Sequence, residues 1–407
     1  MSDRRPQLGR HIALVSSFGS EGDVRPFLAL GRGLLRAGHQ PFLVAEERFR
    51  DRASAAGLAF RSCGQRWNEA QHREAMQKVL SHRSPMAQAK ALIEQGEREL
   101  VAVAPAVVEA TAAADAIVYH AADVAAFAAA LIHDTPRVTA SLATGLLPGG
   151  FAPWLARRLI GPFTDGNFNR VLAAVGIAAR KNVFLQAMES PLLNLVAVSE
   201  QIVPSRPAWQ GRYLATGYWF FDEPAFQPSE SLRAFVAEGE APLVVTFGSM
   251  TGLEARVGAL LASILDGVQR SGRRAILQAP AALLGSMAVP ASLHVTEYVP
   301  HDWLFPRAWA VVHHGGAGTT AAAARAGVPQ IIAWVLGDQP EWGQIMHRHR
   351  VAPKPLALRD LDAGTLAARI AAIDEPMRER ARSLGARIAN EDGVERACAL
   401  LAERLRP

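Results

Sequence analysis

Cysteine is almost missing from this chain: Cys63 and Cys398 are the whole complement. Two thiols so far apart form neither a metal-ligand cluster nor a disulfide framework, and a reducing compartment suits them. Excess charge of one sign is scarce as well. Lys and Arg number 43 against 38 Asp and Glu, a net +5 over 407 residues. That argues against a dedicated nucleic-acid binder, although a pI near 9.6 suits anionic ligands. Uncharged apolar runs never reach the length of a bilayer span, and the polar stretch Met1 to Arg10 does not read as a signal peptide. A cytoplasmic chain is expected, with peripheral contact at a membrane face left open. What is plentiful is apolar residues, 50% against 20% charged, enough for large cores in two or three domains.

Strand and helix patterns alternate from the start. Ile12–Val15 is an apolar strand, Ser16 to Asp23 a small-residue loop, and Phe27, Leu30 and Leu34 mark a helix that Gly38 closes. Strands at Phe42–Ala45 and Leu58–Phe60 bracket a helix from Phe49 to Ala56. A long helical stretch from Ser84 to Ala114 precedes strands at Ala116–Tyr119 and Arg137–Ala140, with an Ala-rich helix between them. From Gly149 to Val196 the pattern loosens. Strands at Leu195–Ser199 and Tyr213–Gly217 end this half. The turn-rich 218–240 segment reads as a linker, after which the alternation restarts at Leu243–Phe247, with a helix from about Leu253 to Gln269. Strands follow at Ala275–Leu277, Leu293–Val295, Trp309–Val312 and Gln330–Ala333, and helical patterns over Ala363–Ile373 and Pro376–Arg406 finish the chain. Such alternation specifies an α/β class of parallel sheets covered on both faces. The expected domains are 1–217, 241–375, and a helical tail 376–407 packing back toward the first.

Three stretches could carry chemistry. In His313-His314-Gly315-Gly316-Ala317-Gly318-Thr319-Thr320, glycines let backbone approach a ligand, and a helix start offers N–H groups and a positive dipole end to an anion. Thr319 and Thr320 add hydroxyls, and His314 can place an N–H on a phosphate oxygen; a glycine turn of purely steric purpose is the alternative. Asp338-Gln339, after the strand ending near Val335, can grip vicinal hydroxyls, or Asp338 can simply cap the next helix. Tyr298, beside Val299-Pro300, can stack on a base or pack into the core.

Together these stretches resemble the nucleotide-sugar signature of family 1 glycosyltransferases, in the branch of sterol-glucosyltransferase-like, glycopeptide and rhamnolipid enzymes. The matching words are PHDWLFPRAWAVVHHGGAGTTAAAARAGVPQ and GDQPEWG, with GSEGDVRPFLALGRGLLRAGH near the start. The resemblance implies a GT-B fold: two Rossmann-like parallel-sheet domains facing a central cleft, acceptor bound by the first and donor by the second. It also implies the roles of individual residues. His314, Gly316, Gly318 and Thr319 would cradle the diphosphate, with Ser249 on the phosphate side. Tyr298 and Val299 would meet the base, and Asp338 and Gln339 the donor sugar. Asp23, beside Gly22 in the first signature, would be the general base of an inverting, metal-independent transfer from a UDP- or dTDP-sugar, no other cofactor being needed. The family departures are Ala333-Trp334, Glu341 and the basic stretch His347 to Arg350, which reads as a solvated face. The aromatic-bearing stretch from Phe151 to Phe168, with Arg157 and Arg158, suggests a hydrophobic hydroxylated acceptor of sterol, lipid or polyketide type; ordinary core helices with basic flanks are the alternative.

Asp23 also suits capping of the helix that begins beside it. Other candidates read as decoys. Glu46 and Glu47 stand where a dinucleotide-binding acid would, but the full Gly-x-Gly-x-x-Gly is missing. Asp360-Leu361-Asp362 precedes a helix and is better read as a cap, and His313 and His314 point to opposite strand faces. A nucleotide-sugar epimerase of the same architecture, or a catalytically idle partner subunit, are the alternatives to a transferase.

Overall fold

The computed structural model describes residues 9–64, 69–82, 84–149, 151–223, 225–248 and 257–405. Two compact units divide the chain: Met1–Phe221 with Asp392–Pro407, and Asp222–Glu391. In the first, seven parallel strands run β1 His11–Val15, β2 Gln40–Ala45, β3 Ala59–Ser62, β4 Ala116–His120, β5 Arg137–Ser141, β6 Leu193–Val196 and β7 Tyr213–Ala215. Their spatial order is β3-β2-β1-β4-β5-β6-β7. In the second, β8 Leu243–Thr246, β9 Ala275–Gln278, β10 Leu293–Thr296, β11 Ala310–His313, β12 Gln330–Trp334 and β13 Leu356–Ala357 take the order β10-β9-β8-β11-β12-β13. Every strand pair is parallel.

The strands are apolar at successive positions because both faces are covered. In β1, Ile12 and Leu14 face Phe27, Leu30 and Leu34 of the Glu21–Arg36 helix. Ala13 and Val15 face the other way, toward Val103 and Val107 of the Pro85–Thr111 helix and Phe127 of the Val124–Ile132 helix. The Gly393–Arg404 helix completes the first of these layers with Val394, Ala397, Cys398 and Leu401. Gly33 permits that docking: a Cβ there would run into Val394 and stand 2.9 Å from Cys398 Sγ. Neither cysteine forms a disulfide, and both are buried.

The division of the chain differs from the sequence expectation at both crossings. Residues 218–221 belong to the first unit, where buried Trp219 meets Phe27 edge-on at 6.2 Å and donates its indole N–H to Thr216 Oγ1 at 3.0 Å. The second unit starts at Asp222, which accepts from Arg325 at 3.0 and 2.5 Å. The supposed linker holds a helix, Glu230–Ala237, capped by Ser229. At the far end, the Glu375–Ala389 helix stays in the second unit, with a Cβ on Gly385 only 2.6 Å from Gly327 Cα. Only the last helix joins the first unit.

The loosened stretch contains a helix of 23 residues, Phe151–Ala173. Its exposed side chains include Trp154 (54%), Leu155, Leu159 (61%) and Phe163. Among the described residues, no helix is long and apolar enough to cross a membrane.

Candidate active site

In an open parallel sheet, the strand order reverses direction at one point, and the loops leaving the carboxyl ends there diverge to form a crevice. The reversal lies between β1 and β4 in the first unit and between β8 and β11 in the second. The loop carrying Asp23 follows β1 and the turn carrying His314 follows β11, one at each of these points.

In the first unit, β1 runs into the loop carrying Phe18, Gly19 and Ser20. Ser20 caps the Glu21–Arg36 helix in a capping box with Asp23 as its third residue. Asp23 Oδ2 accepts from Ser20 N at 2.6 Å and Ser20 Oγ at 3.1 Å. Gly22 N donates to Ser20 Oγ at 3.2 Å, a contact within the cap. Gly19 adopts φ +96°, and a Cβ there would stand 2.7 Å from Asp23 Cγ, so glycine is required for the carboxylate to lie over the loop. Capping therefore uses one oxygen of Asp23. The other, Oδ1, faces His120 Nε2 at 3.8 Å, and the carboxylate side chain is 32% exposed.

His120 ends β4 and went unremarked in the sequence, as did Asp123 beyond it. Asp123 is fully enclosed; its Oδ2 accepts from Ser17 N at 2.8 Å and its Oδ1 from Ala126 N at 2.9 Å. One carboxylate thus caps the Val124–Ile132 helix and fastens it to the β1 loop. Burial pushes its carboxyl above the usual carboxylate range, with the two N–H donors pulling against that. An amide would set an NH2 against one of those donors. Asp123→Asn should lower the unfolding free energy by about 1–3 kcal/mol, read as a lower urea midpoint.

In the second unit, β11 delivers both histidines to the glycine turn. His313 is structural: fully buried, it accepts from Gly315 N at Nδ1 (3.0 Å) and shares Nε2 with Gln330 Oε1 (2.9 Å). Gln330 in turn donates to the Thr320 carbonyl at 3.3 Å, tying β12 to the first turn of the Ala317–Arg325 helix. Burial pushes the His313 pKa down to about 3, with His314 beside it adding to the shift. Between that value and the ordinary 6.5, the unfolded chain binds a proton that the native one refuses. Acidification below about pH 6.5 should therefore cost about 1.4 kcal/mol per pH unit from this group. His313→Asn should flatten the slope of unfolding free energy against pH by that amount.

His314 is held differently. Its Nδ1 is enclosed with no hydrogen-bond partner among the described residues, and burial pushes its pKa down to about 4. Thr320 Oγ1 is enclosed in the same way. Gly315 turns with φ +85°, and a Cβ on it would lie 2.8 Å from Ile332 Cγ2. A Cβ on Gly316 would run into His314 Nε2. Gly316 is the helix N-cap in extended conformation, and Gly318 and Thr319 lie in the first turn. The turn thus presents backbone N–H groups, the dipole's positive end and a neutral imidazole at one place. Gly248, after β8, comes close: a Cβ there would be 3.6 Å from His314 Cε1. Ser249, next in sequence, lies outside the described residues.

The remaining candidates depart in part from expectation. Asp338 makes no capping bond to the Gln339–Arg348 helix among the described residues; its Oδ2 accepts from Trp342 Nε1 at 2.7 Å. Gln339 is buried, and its Oε1 accepts from Val335 N (2.7 Å) and Leu336 N (3.1 Å). Gln339 adjoins the glycine turn, since a Cβ on Gly315 would lie 3.1 Å from its carbonyl. Tyr298 is half exposed and donates to Glu223 Oε1 at 2.7 Å, while Val299 is buried with its carbonyl bound by Gln278 Nε2 at 3.1 Å. The decoys resolve simply. Glu46 is buried and paired with Arg48 at 3.1 Å, and Asp362 caps the Ala363–Ala371 helix. Arg157 is tied to the Leu146 carbonyl at 2.9 Å and to Glu189.

Each unit is thus a parallel sheet with polar groups at its reversal point, and the second adds a glycine turn at a helix start. Residues 13–143 match the glycosyltransferase family 28 N-terminal domain, and residues 262–400 the erythromycin biosynthesis protein CIII-like C-terminal domain. The chain is 32% identical to O-mycaminosyltylonolide 6-deoxyallosyltransferase of Streptomyces fradiae, over 96% of this chain and 97% of that protein. It is 28% identical to the sterol 3-beta-glucosyltransferase of Saccharomyces cerevisiae strain YJM789, over 96% of this chain but 35% of that longer protein. The solved structure of the glycosyltransferase VinC in complex with dTDP superposes with a TM-score of 0.71 at 18% identity, covering 97% of this chain and 99% of that one. The chain belongs to the family 1 glycosyltransferases of GT-B fold, and it is a glycosyltransferase.

Proposed function

We propose that the enzyme moves a sugar from a UDP- or dTDP-sugar to a hydroxyl of a lipophilic acceptor of sterol, lipid or polyketide type, with inversion and without a metal. The observation that carries the donor side is a pair of enclosed polar atoms at a helix start, His314 Nδ1 and Thr320 Oγ1, that have no hydrogen-bond partner among the described residues. Buried polar atoms without partners are costly, and a diphosphate beside them would use the same donors. Negative charge developing on the leaving diphosphate would meet the helix dipole and the His314 N–H, an arrangement already oriented before reaction. Asp23 would accept the acceptor's hydroxyl proton as that oxygen attacks the anomeric carbon. The dTDP bound to VinC and the O-mycaminosyltylonolide and sterol named for the relatives support these donor and acceptor classes. The exposed Trp154, Leu155, Leu159 and Phe163 on one helix suit an apolar acceptor or the surface that delivers it.

The test is direct. Incubated with UDP-glucose or dTDP-glucose, the protein should release nucleoside diphosphate only when ergosterol or a macrolide aglycone is added, at a rate indifferent to EDTA. The product should carry the anomeric configuration opposite to the donor's. Isomerised donor with no acceptor dependence, or a product of retained configuration, would sink the proposal.

A further inference from the structure

We propose that His120 is the positioning partner of Asp23, so that the two form a carboxylate–imidazole pair in which the carboxylate is the base and the imidazole aims it. This inference rests on the reading of Asp23 as general base.

The geometry divides the work within the pair. Asp23 Oδ2 is committed to the capping box, at 2.6 Å from Ser20 N and 3.1 Å from Ser20 Oγ. The oxygen that remains to take a proton is Oδ1, and His120 Nε2 is the group 3.8 Å from it. The imidazole tautomer is fixed by the backbone. Ala122 N donates to His120 Nδ1 at 3.2 Å, so Nδ1 is the acceptor and Nε2 carries the hydrogen. The ring's one basic nitrogen is thereby occupied, and His120 cannot compete with Asp23 for the hydroxyl proton. It can only present an N–H to Oδ1. At 3.8 Å that contact is long for a hydrogen bond, as catalytic contacts often are before substrate draws them together.

Both members are held from behind. Phe18 meets the His120 ring edge-on at 5.3 Å and 88°, and Asp123 ties Ser17 of the Asp23 loop to the helix that follows His120. Their side chains remain 16% and 32% exposed, so a hydroxyl can reach them. In the transfer, the acceptor O–H bond breaks as its proton passes to Asp23 Oδ1. The acceptor oxygen bonds the anomeric carbon, and the bond from that carbon to the diphosphate breaks with its electron pair leaving on the diphosphate. His120 takes no proton from the acceptor and steadies Oδ1 so that its lone pair points at the hydroxyl.

The test uses the full chain with UDP-glucose or dTDP-glucose and whichever of ergosterol or a macrolide aglycone it glycosylates. His120→Ala should lower kcat about 10–100-fold with KM for the nucleotide sugar within about twofold. His120→Gln, whose amide N–H can stand where Nε2–H does, should recover most of that loss. Asp23→Asn combined with His120→Ala should be no slower than Asp23→Asn alone, as expected for residues acting as one unit. Nitrogen-15 spectra of histidine-labelled protein, which need no acceptor, should show the neutral Nε2–H tautomer, with a shift at Nε2 on Asp23→Asn. Full kcat in His120→Ala beside a dead Asp23→Asn overturns the inference and leaves the base reading standing, as does an Nδ1–H tautomer. Full turnover in Asp23→Asn removes the base reading and this inference with it.

Discussion

Asp23→Asn should slow sugar transfer about 10²–10⁴-fold, the range typical of a lost general base, while binding of UDP or dTDP stays within about twofold. The substitution is unusually clean. Asparagine keeps an oxygen that can accept from Ser20 N, now at 2.6 Å from the carboxylate, so the helix start survives. What it loses is the second, proton-accepting oxygen. Thermal melting should therefore move little, and calorimetry with UDP or dTDP should be unaffected. Turnover equal to the wild type would remove the base assignment; loss of nucleotide binding would relocate Asp23 to the donor site.

His314→Ala should weaken nucleoside diphosphate binding about 10–150-fold, the equivalent of losing one hydrogen bond to a charged group, about 1.5–3 kcal/mol. Gly316→Ala should act in the same direction without deleting any polar atom, because its Cβ would occupy the space of His314 Nε2. Agreement between the two would locate the effect in the placement of the imidazole rather than in its charge, which burial already suppresses. Undiminished UDP and dTDP affinity in both variants would mean that the phosphates lie elsewhere.

Much of this arrangement could be read from local chemistry. A strand, a glycine turn and a helix start are contiguous, so the stretch around His314 declares itself within a few residues. The cap at Asp23 was legible in the sequence, and it uses one carboxylate oxygen, so it does not conflict with a base role proposed for the other. Asp338 suggested a cap, yet its carboxylate turns to Trp342 instead, a choice made by helical i, i+4 spacing. Gln339 looked like a sugar ligand, but half its amide holds the preceding turn.

The rest depended on contacts between distant segments. Nothing in the spacing of Asp23 and His120 reveals them as neighbours; they meet because the sheet order sets β4 beside β1. The helix over Phe151–Ala173 was obscured by Gly161, Pro162 and Gly166, residues that ordinarily break a helical pattern. Two of its interior residues serve a neighbour: a Cβ on Gly161 would run into Asn182 Oδ1, and Asp165 accepts from Asn182 N and Val183 N at 2.8 and 2.9 Å. Its irregular composition records that tertiary contact.

The return of the Gly393–Arg404 helix to the first unit makes that unit discontinuous in the chain. During translation, the Glu21–Arg36 helix must wait, with Gly33 and its neighbours uncovered, until the whole of Asp222–Glu391 has left the ribosome. The unit encoded first is thus finished last, reversing the usual amino-to-carboxyl order of domain folding. A chain ending before Asp392 would keep the second unit and leave the first unsealed, with the apolar surface beside Gly33 uncovered.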